Sequence, residues 1–275
     1  MSKPLKGCLL ISDLDGTMLD ENSEIPAANL EAVKRFVDQG GVFTIATGRT
    51  VESARRYVEQ LSVNAPVCVM NGSLLYDYRQ ERIVWEHPLP LEAKQYASQV
   101  LEGMPDVGVE FSAGRQLYVL RGNDITWEHV KFESLPYVKT TLDQAPPVWH
   151  KVLYGASADR MGRVMDFCSR HPHPGVTYVA TSPQYYEMLP EGSNKGETLG
   201  VLARMLKITL DKTFAIGDYY NDRELVRKAG CGALAANAPK DLYPEADLVV
   251  QHHSKGAVAD FIEKIECGTI FAQEV

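Results

Sequence analysis

Two aspartates, Asp13 and Asp15, lie one residue apart just after an apolar run from Cys8 to Ile11. Two carboxylates this close repel each other unless a cation neutralises them or one of them binds a proton. The pair therefore predicts a bound metal ion, a raised carboxyl pKa, or both. The alternative is a simple turn, because aspartate and glycine are favoured in turns for backbone reasons alone.

Three further segments carry polar residues at a predicted strand end or helix start. Thr47-Gly48-Arg49 places a hydroxyl and backbone N–H groups before a helix, which suits either a bound anion or an ordinary N-cap. The segment Ser193–Gly196, which contains Lys195, lies directly before another predicted helix. A lysine at such a position is usually a solvated surface charge. Gly217–Asp222 is again a strand that runs into an acidic loop, with a turn and a helix cap as the alternative.

All four segments are predicted to lie at one edge of a parallel sheet, beyond the carboxyl ends of its strands, where such sheets bind ligands. Adjacent strands are ~4.8 Å apart, so Asp13, Asp15 and Asp218 can converge on one cation although they are distant in sequence. Oxygen ligands select a hard ion, and we expect Mg²⁺. The cation, Lys195 and the Thr47 hydroxyl would together surround a phosphoryl group.

The elements that position these residues follow from apolar periodicity. Short, nearly continuous apolar runs predict buried strands such as Val42–Ala46, Val67–Met70 and Thr213–Gly217. Segments with apolar residues at helical spacing separate the strands, and Gly40-Gly41 ends the first helix. Three successive units of strand and crossover helix imply an α/β fold with a doubly wound, Rossmann-like parallel sheet.

A second domain is predicted within residues 83–188, where strand-like stretches alternate polar and apolar residues. The clearest of these stretches are Gln116–Leu120, Trp149–Tyr154 and Tyr185–Leu189. Two amphipathic helices lie between them, so we expect antiparallel strands with helices on one face, an inserted α+β domain. Residues 1–82 and 189–275 would then form the core domain.

Composition narrows the classes of function. The 275 residues include 28 Lys and Arg against 36 Asp and Glu, a formal net charge of −8, without a dense basic cluster. This argues against nucleic acid as a partner, because neutralising its phosphates requires such a cluster. The chain also contains no apolar run that approaches the ~20 residues needed to span a bilayer, which argues against a membrane segment.

The pattern of cysteines indicates the cellular compartment and whether cysteines could bind zinc. The five cysteines are odd in number, widely separated and without Cys-x-x-Cys spacing: Cys8, Cys68, Cys168, Cys231 and Cys267. Three of them lie in apolar stretches, so we expect reduced, mostly buried thiols in a cytoplasmic protein. The spacing also argues against zinc held by cysteine.

Together these motifs resemble those of the haloacid dehalogenase-like superfamily, specifically its Cof-type branch of sugar-phosphatase-like hydrolases. In chain order, the four segments that resemble its four motifs are Asp13-Leu14-Asp15-Gly16-Thr17, Thr47-Gly48-Arg49, Lys195-Gly196 and Gly217-Asp218-x-x-Asn221-Asp222. Secondary signatures are Asn71-Gly72, Asn237-Ala238 and Ala246-Asp247. The resemblance covers nearly the whole chain, and the insertion lies where this branch carries a large α/β cap that selects the leaving group.

The resemblance implies roles for these residues. Asp13 would be the nucleophile that forms an aspartyl-phosphate, and Asp15 would act first as general acid and then as general base. The implied Mg²⁺ ligands are Asp13, the backbone carbonyl of Asp15, and Asp218, with Asp222 as a direct or outer ligand. The implied phosphoryl contacts are Thr47, Gly48, Asn221 and Lys195.

Other polar residues have more than one interpretation. Possible substrate contacts are Arg49, Asn71, Gly72 and Glu187. Arg49 and Glu187 suit a structural salt bridge equally well. Tyr219 and Tyr220 depart from the family, which more often has smaller or polar residues there, and the two rings would either line the cleft or pack beneath the cap.

Two histidine groups could be read as metal ligands, His252-His253 and the pair His171 and His173. We expect neither to bind metal, because no second cluster of ligands accompanies them and both resemble exposed loops. The inserted domain also contains Trp149, which we expect to pack in a core rather than to line a pocket.

The function that these expectations favour is a Mg²⁺-dependent phosphatase acting on a small phosphorylated metabolite, such as a sugar phosphate or a phosphorylated cofactor. A phosphotransferase or mutase would use the same aspartyl-phosphate while excluding water. A phosphoaccepting signalling module is less favoured, because such domains are shorter and lack a large insertion. A catalytically silent binding protein is disfavoured because every expected catalytic side chain is present.

Overall fold

The computed structural model describes residues 4–133, 135–171 and 173–268. The strands in chain order are β1 (Leu9–Ser12), β2 (Val42–Ile45), β3 (Val67–Val69), β4 (Leu74–Asp77), β5 (Arg82–Glu86), β6 (Gly108–Ala113), β7 (Gln116–Arg121), β8 (Tyr137–Lys139), β9 (Lys151–Gly155), β10 (Val176–Ser182), β11 (Tyr185–Pro190), β12 (Thr213–Gly217), β13 (Cys231–Ala235) and β14 (Leu248–Val250). The helices are α1 (Ala27–Asp38), α2 (Val51–Val58), α3 (Ala93–Gly103), α4 (Asp124–Phe132), α5 (Ala158–Arg170), α6 (Lys195–Leu206), α7 (Arg223–Lys228) and α8 (Ala257–Glu266). No helix among the described residues is both long and apolar enough to cross a lipid bilayer.

The described residues form two compact units. The first unit takes those up to Gly48, then Ala54–Val84, and those from Asn194 onward. The second unit takes Arg49–Ser53 and Trp85–Ser193. One long insertion therefore forms most of the second unit, and a short segment at the start of α2 joins it.

The first unit is built on a five-stranded parallel sheet in the order β14-β13-β12-β1-β2. Strand β1 is central, with Leu9 opposite Thr213 on one side and Val42 on the other. All four residues of β1 are buried, as expected for a continuous apolar run covered on both faces. The predicted α/β fold with a parallel sheet is confirmed.

The prediction that Val67–Met70 is a further strand of this sheet is wrong. Strand β3 pairs antiparallel with β4 in a separate three-stranded sheet, and its link to β2 within the described residues is an isolated parallel bridge between Ala46 and Cys68. Met70 and Asn71 both adopt left-handed backbone angles, with φ of 52° and 53°. The chain therefore reverses at once into β4, and a crossover helix does not follow.

A buried asparagine on α1 connects three parts of the first unit. The amide of Asn29 donates to the Met18 carbonyl at 2.9 Å, and its oxygen accepts from the Ala259 backbone N–H at 2.9 Å. These bonds join the loop after β1 and the first turn of α8 to α1, which packs on α8. Because a buried amide is costly unless it is paired, Asn29 fixes this arrangement in a way that an apolar residue would not.

The second unit contains a six-stranded sheet in the order β10-β11-β9-β6-β7-β8. Its strand pairs are antiparallel except for β7 and β8, which run parallel. Helices α3 and α5 contribute to one apolar core with the sheet, in which the Trp149 ring stacks on Phe111 at a centroid distance of 3.9 Å. The expected core role of Trp149 is confirmed, although β9 begins at Lys151 rather than at Trp149.

The two helices predicted in the insertion are confirmed as α3 and α5, and α4 is a third that the sequence pattern did not reveal. Asn123 caps this helix by accepting from the Thr126 backbone N–H at 2.9 Å. The residues that α4 buries are Thr126, His129 and Val130. Two of these three are polar, so the helix lacks the apolar stripe from which helices are read in sequence.

The cysteines agree with the expectation of reduced thiols. All five lie within the described residues and are free, and Cys68, Cys168 and Cys231 are buried. Burial raises the pKa of the Cys68 thiol to about 12. A buried, protonated thiol is a poor nucleophile and a poor metal ligand, so these side chains act as small apolar residues.

Helix α4 brings a buried histidine against two carboxylates. His129 Nδ1 lies 2.5 Å from Glu110 Oε1, an ion-pair contact without good hydrogen-bond alignment among the described residues. Its Nε2 lies 3.6 Å from Glu133 Oε1. Burial alone would lower the pKa of His129, but the two carboxylates raise it to about 10. His129 is therefore a charged residue at neutral pH, in spite of its burial.

This charge predicts a pH-dependent stability. The folded-state pKa of His129 exceeds its unfolded value, so its contribution is complete below about pH 6.5 and is lost as the pH rises towards 10. The unfolding free energy of the wild type should fall across this window by up to ~1.4 kcal/mol per pH unit from this group. Urea unfolding at several pH values would measure it, and His129→Gln should show a flatter profile.

The matched control is His171→Gln, which replaces an exposed histidine of the same unit. This variant should keep the wild-type profile. Parallel profiles for wild type and His129→Gln would show that the histidine does not carry the charge inferred from its neighbours.

Candidate active site

The first candidate residue extends the central strand. The Asp13 backbone N–H donates to the Ile216 carbonyl at 2.8 Å, which continues the parallel pairing of β1 and β12 for one residue. The Ser12 hydroxyl donates to the Asp13 carbonyl at 2.6 Å. The carboxylate of Asp13 is thereby held at the carboxyl end of the sheet and is buried.

A buried lysine joins two of the predicted acids. Lys195 Nζ donates to Asp13 Oδ1 at 2.5 Å and to Asp222 Oδ1 at 2.6 Å. Lys195 is the first residue of α6, whose N-cap Asn194 accepts from the Glu197 backbone N–H at 2.8 Å. The lysine is only 1% exposed, so its ammonium is a fixed charge rather than a solvated one.

The loop after β12 folds around the carboxylate of Asp222. Asp222 Oδ2 accepts from the backbone N–H groups of Asp218 at 3.0 Å and Tyr219 at 3.2 Å. A Cβ at Gly217 would lie 2.4 Å from the Asp222 side chain. Glycine at this position is therefore required for the close turn, and Asp222 acts as both a structural cap and a member of the acid cluster.

Asp218 is held by residues from two other loops. Its Oδ1 accepts from the Thr17 hydroxyl at 3.1 Å, and its Oδ2 accepts from Asn237 Nδ2 at 2.9 Å. Asn237 Nδ2 also donates to the Gly16 carbonyl at 2.8 Å. Gly16 has a φ of +76°, and a Cβ there would lie 2.4 Å from Asp218 Oδ2. Asn237 was not among the predicted site residues, although its Asn-Ala signature was the signal that could have identified it.

Three carboxylates gather at this edge of the sheet. Ligand atoms of Asp13, Asp218 and Asp222 all lie within 4.8 Å of one another. Burial and the neighbouring Asp222 raise the pKa of Asp13 well above its usual range and that of Asp218 to about 7. Burial lowers the pKa of Lys195, but Asp13 and Asp222 outweigh it and raise that pKa above its ordinary value. One ammonium therefore does not balance the carboxylates, and an all-oxygen donor set short of positive charge fits Mg²⁺.

The predicted phosphate-binding residues form a connected group. Thr47 is buried, and its carbonyl accepts from the Asn71 backbone N–H at 3.0 Å. Asn221 Nδ2 donates to Asn71 Oδ1 at 3.0 Å. A Cβ at Gly48 would lie 3.1 Å from the Asn71 amide. The structure thus brings Thr47, Gly48, Asn71 and Asn221 together, and the side chain of Asp15 is exposed.

Gly72 allows the backbone to pack closely beside the site. Its φ is +98°, and a Cβ there would lie 2.4 Å from the Asn194 carbonyl oxygen. The Gly72 carbonyl accepts from the Thr198 hydroxyl at 2.9 Å. Gly72 therefore lets the turn after β3 pack directly against the start of α6, where Lys195 is placed.

Arg49 and Glu187 belong to the second unit. Arg49 is buried and donates to the Ser53 hydroxyl at 3.0 Å. Glu187 is buried and accepts from Lys151 Nζ at 3.0 Å. Burial lowers the pKa of Lys151, but Glu187 and Glu133 raise it above its ordinary value. Sequence reasoning missed Lys151, because a lysine at an alternating position in a strand is ordinarily read as solvated.

The two histidine groups have different surroundings in the structure. We expected no second cluster of ligands beside His252 and His253; the structure adds one carboxylate, Glu21, and each of the three residues offers a ligand atom within 4.8 Å of the others. Both histidines are also half-buried rather than exposed. His171 and His173 are engaged differently, with Nδ1 of His171 at 2.7 Å from a helix carbonyl and Nδ1 of His173 at 2.5 Å from the Tyr178 hydroxyl.

Tyr219 and Tyr220 are about half-exposed, at 48% and 44%. Their rings meet edge to face at 5.0 Å, and the Tyr220 hydroxyl donates to Asp241 at 3.0 Å. The Asp241 carboxylate raises the pKa of Tyr220, so this hydroxyl remains a donor at neutral pH.

Comparison with known proteins shows which family and which relatives this chain is similar to. The chain matches the family model described as haloacid dehalogenase-like hydrolase over residues 10–262. It is similar to 5-amino-6-(5-phospho-D-ribitylamino)uracil phosphatase YwtE of Bacillus subtilis (strain 168), at 25% identity over 287 residues that cover 95% of this chain and 98% of that protein. It is also similar to the HMP-PP phosphatase of Serratia proteamaculans (strain 568), at 26% identity over 264 residues that cover 91% and 92% of the two chains.

A solved structure resembles the fold. The crystal structure of a haloacid dehalogenase-like hydrolase from Bacteroides thetaiotaomicron aligns with a TM-score of 0.85 at 22% identity, covering 94% of this chain and 99% of that chain. The likeness bears on the fold alone, and it agrees with a parallel sheet accompanied by a separate second sheet.

The lysine bridge predicts a large effect on stability. Lys195→Met should destabilise the metal-free protein by about 3–5 kcal/mol, because it leaves buried carboxylates without their shared cation. The loss should be smaller at pH 5 than at pH 8, since the pKa of a buried carboxyl is raised and protonation at low pH removes the unpaired charge. Urea unfolding in the presence of a chelator would measure both.

Lys228→Met is the matched control, because Lys228 Nζ pairs with Glu197 at 2.7 Å where both side chains are partly exposed. Exposed pairs contribute about 0–1 kcal/mol, so this variant should lose little. Equal losses in the two variants would contradict the role assigned to Lys195.

Proposed function

The chain belongs to the family of haloacid dehalogenase-like hydrolases, as its motifs predicted, and we propose that it is a Mg²⁺-dependent phosphatase acting on a small phosphorylated metabolite. The observation that carries the proposal is the buried bridge from Lys195 to Asp13 and Asp222, with Asp218 completing the acid cluster. Two relatives named as phosphatases of small phosphorylated compounds support it.

The nucleophile is Asp13. Its carboxylate attacks phosphorus and the ester P–O bond breaks, which leaves the phosphoryl group on Asp13 as an aspartyl-phosphate. Lys195 orients this carboxylate through the bond to Oδ1 and offsets its charge as the phosphoryl oxygens approach. Without that ammonium, the attacking group and its target would both be anionic in a buried place.

The proton steps are assigned to Asp15. It gives a proton to the departing oxygen and then takes one from the water that cleaves the aspartyl-phosphate. Its exposed position suits exchange with solvent between these two steps. Asp13, in contrast, is buried and is paired with Lys195, which suits a fixed nucleophile.

Four groups are proposed to bind the phosphoryl oxygens. They are the Thr47 hydroxyl, the backbone N–H of Gly48, and the side chains of Asn221 and Lys195. Their placement is determined in part by Asn71, which contacts Thr47 and Asn221. Fixed donors of this kind stabilise charge that develops during transfer without having to reorganise.

Mg²⁺ would be held by Asp13, Asp218, Asp222 and the backbone carbonyl of Asp15. When bound, it would supply positive charge for the phosphoryl oxygens and would keep the acids ionised. The raised pKa values of Asp13 and Asp218 support this assignment, since burial and the neighbouring Asp222 disfavour the charged carboxylates and a bound cation would favour them.

Substrate selection is assigned to residues 83–188 as a cap. Arg49 and Glu187 are proposed contacts for the leaving group, and both carry buried charges in the second unit. The names of the relatives suggest phosphorylated pyrimidines and ribityl compounds as the first substrates to test, together with sugar phosphates.

The proposal predicts phosphate release from such a panel. Wild type with Mg²⁺ should release phosphate from 5-amino-6-(5-phospho-D-ribitylamino)uracil, HMP-PP or a hexose phosphate, and chelator should abolish the release. Asp13→Asn should lower the rate by at least about 10³-fold, since loss of a nucleophile is rarely compensated. The exposed Asp143→Asn is the control and should keep the wild-type rate. Transfer to an acceptor without phosphate release would instead indicate a phosphotransferase.

The two aspartates should also be separable. With p-nitrophenyl phosphate, whose leaving group needs little protonation, Asp15→Asn should still be phosphorylated but should hydrolyse the aspartyl-phosphate slowly. Acid-quenched intact mass would show one added phosphoryl group in this variant and none in the Asp13→Asn/Asp15→Asn double variant. An Asp15→Asn variant that stays unmodified and inactive would contradict the division of roles.

A further inference from the structure

We propose that Glu21, His252 and His253 form a second cation site, separate from the acid cluster, which binds a borderline divalent ion such as Zn²⁺. Each residue offers a ligand atom, and these atoms lie within 4.8 Å of one another. Glu21 follows β1, and the two histidines lie between β14 and α8, so the fold brings together residues from opposite ends of the first unit.

The hydrogen bonding of His253 prepares it for metal. Its Nδ1 lies 2.7 Å from the Leu19 carbonyl oxygen. A carbonyl only accepts, so Nδ1 carries the proton and the neutral ring has its lone pair on Nε2. Metal-binding histidines show this same arrangement, in which one ring nitrogen donates to a carbonyl and the other binds the ion.

His252 is held by Ser254, two residues later in the chain. Its Nδ1 lies 2.8 Å from the Ser254 hydroxyl and 3.3 Å from the Ser254 backbone nitrogen. A serine hydroxyl can donate or accept, so it accommodates Nδ1 with or without a proton. Metal binding through Nε2 would therefore only give up the long backbone contact. The ring centroids of His252 and His253 lie 4.5 Å apart, and each ring offers a ligand atom within 4.8 Å of one on Glu21.

Glu21 sits on a turn that is already organised. Asp20 Oδ1 accepts from the backbone N–H groups of Asn22 at 2.8 Å and Glu24 at 3.0 Å. This turn fixes the backbone of Glu21, while its exposed side chain remains adjustable. Zinc bonds of about 2.0–2.2 Å place tetrahedral ligands roughly 3.4 Å apart, so the groups need to close by about 1.4 Å at most.

The donor set selects the ion. Two imidazoles and one carboxylate are a known set of three protein ligands for four-coordinate zinc, in which water takes the fourth position. Mg²⁺ prefers oxygen ligands alone, which only the Asp13, Asp218 and Asp222 cluster supplies among the groups found in the described residues. The acid cluster should therefore prefer Mg²⁺, and the site with two histidines should prefer Zn²⁺.

The two sites are linked through one side chain. The His253 backbone N–H donates to Asn237 Oδ1 at 3.2 Å, and Asn237 Nδ2 donates to Asp218 Oδ2 at 2.9 Å. A test must therefore separate zinc bound at the histidines from zinc bound at the acid cluster. Saturating Mg²⁺ and an Asp218 variant make that separation.

The test is calorimetric titration of Zn²⁺ into tag-free full-length protein in saturating Mg²⁺. Wild type should bind about one Zn²⁺ per chain, and Glu21→Gln or His253→Gln should each weaken binding at least ~10-fold. His171→Gln, in the second unit, is the matched histidine control and should bind like wild type. Asp218→Asn should retain the Zn²⁺ site. Co²⁺ in place of Zn²⁺ should give visible absorption bands in wild type that are lost in His253→Gln.

Three results would overturn the proposal. They are the absence of Zn²⁺ binding in wild type, equal binding in wild type and Glu21→Gln, and binding that is lost in Asp218→Asn but kept in His253→Gln. Glu21 is exposed, so its variant should fold and should carry the test even if His253→Gln does not. None of these outcomes depends on phosphatase activity, so the Zn²⁺ site and the proposed function stand or fall separately.

Discussion

The ammonium of Lys195, buried between the carboxylates of Asp13 and Asp222, is the interaction on which the first unit depends. A charge this deep is tolerated only when it is paired, and each partner here comes from a different segment of the chain. The bridge requires the end of β1, the start of α6 and the loop after β12 to meet at one edge of the sheet. The parallel pairing of β1 with β12 supplies that meeting, because it aligns the carboxyl ends of both strands.

The edge of the sheet where Lys195 lies holds more negative than positive charge. Three acids face one lysine, and burial together with the neighbouring Asp222 raises the pKa values of Asp13 and Asp218. Gly16 and Gly217 allow the acids to lie this close, since a Cβ at either position would collide with an acid side chain. The fold thus keeps carboxylates near one another at a cost that a divalent cation and an anionic phosphoryl group relieve.

The second unit handles charge in a different way. One side of its sheet packs with α3 and α5 in an apolar core, while His129, Lys151 and their glutamate partners form buried ion pairs elsewhere in the unit. Buried charges are costly unless they are paired, so the glutamate partners are needed wherever this unit buries a cation. Glu187, the partner of Lys151, is one of the two residues proposed to contact the leaving group.

Local sequence patterns were sufficient for much of this protein. The apolar run before Asp13 predicted a buried strand that ends in acids, and the order of the four motifs predicted the family and the parallel sheet. Asp13, Asp218, Asp222 and Lys195 were named from sequence, and the structure places them in contact. Such features are readable because burial periodicity and short motifs are properties of neighbouring residues.

Tertiary structure alone decided the rest. The antiparallel pairing of β3 depends on a left-handed turn at Asn71, and α4 buries the polar residues Thr126 and His129 beside Val130. Asn237 reaches Asp218, and Glu21 reaches His253 across more than two hundred residues. These contacts depend on how distant segments pack, and a single sequence records the identity of each residue but not its distant neighbour.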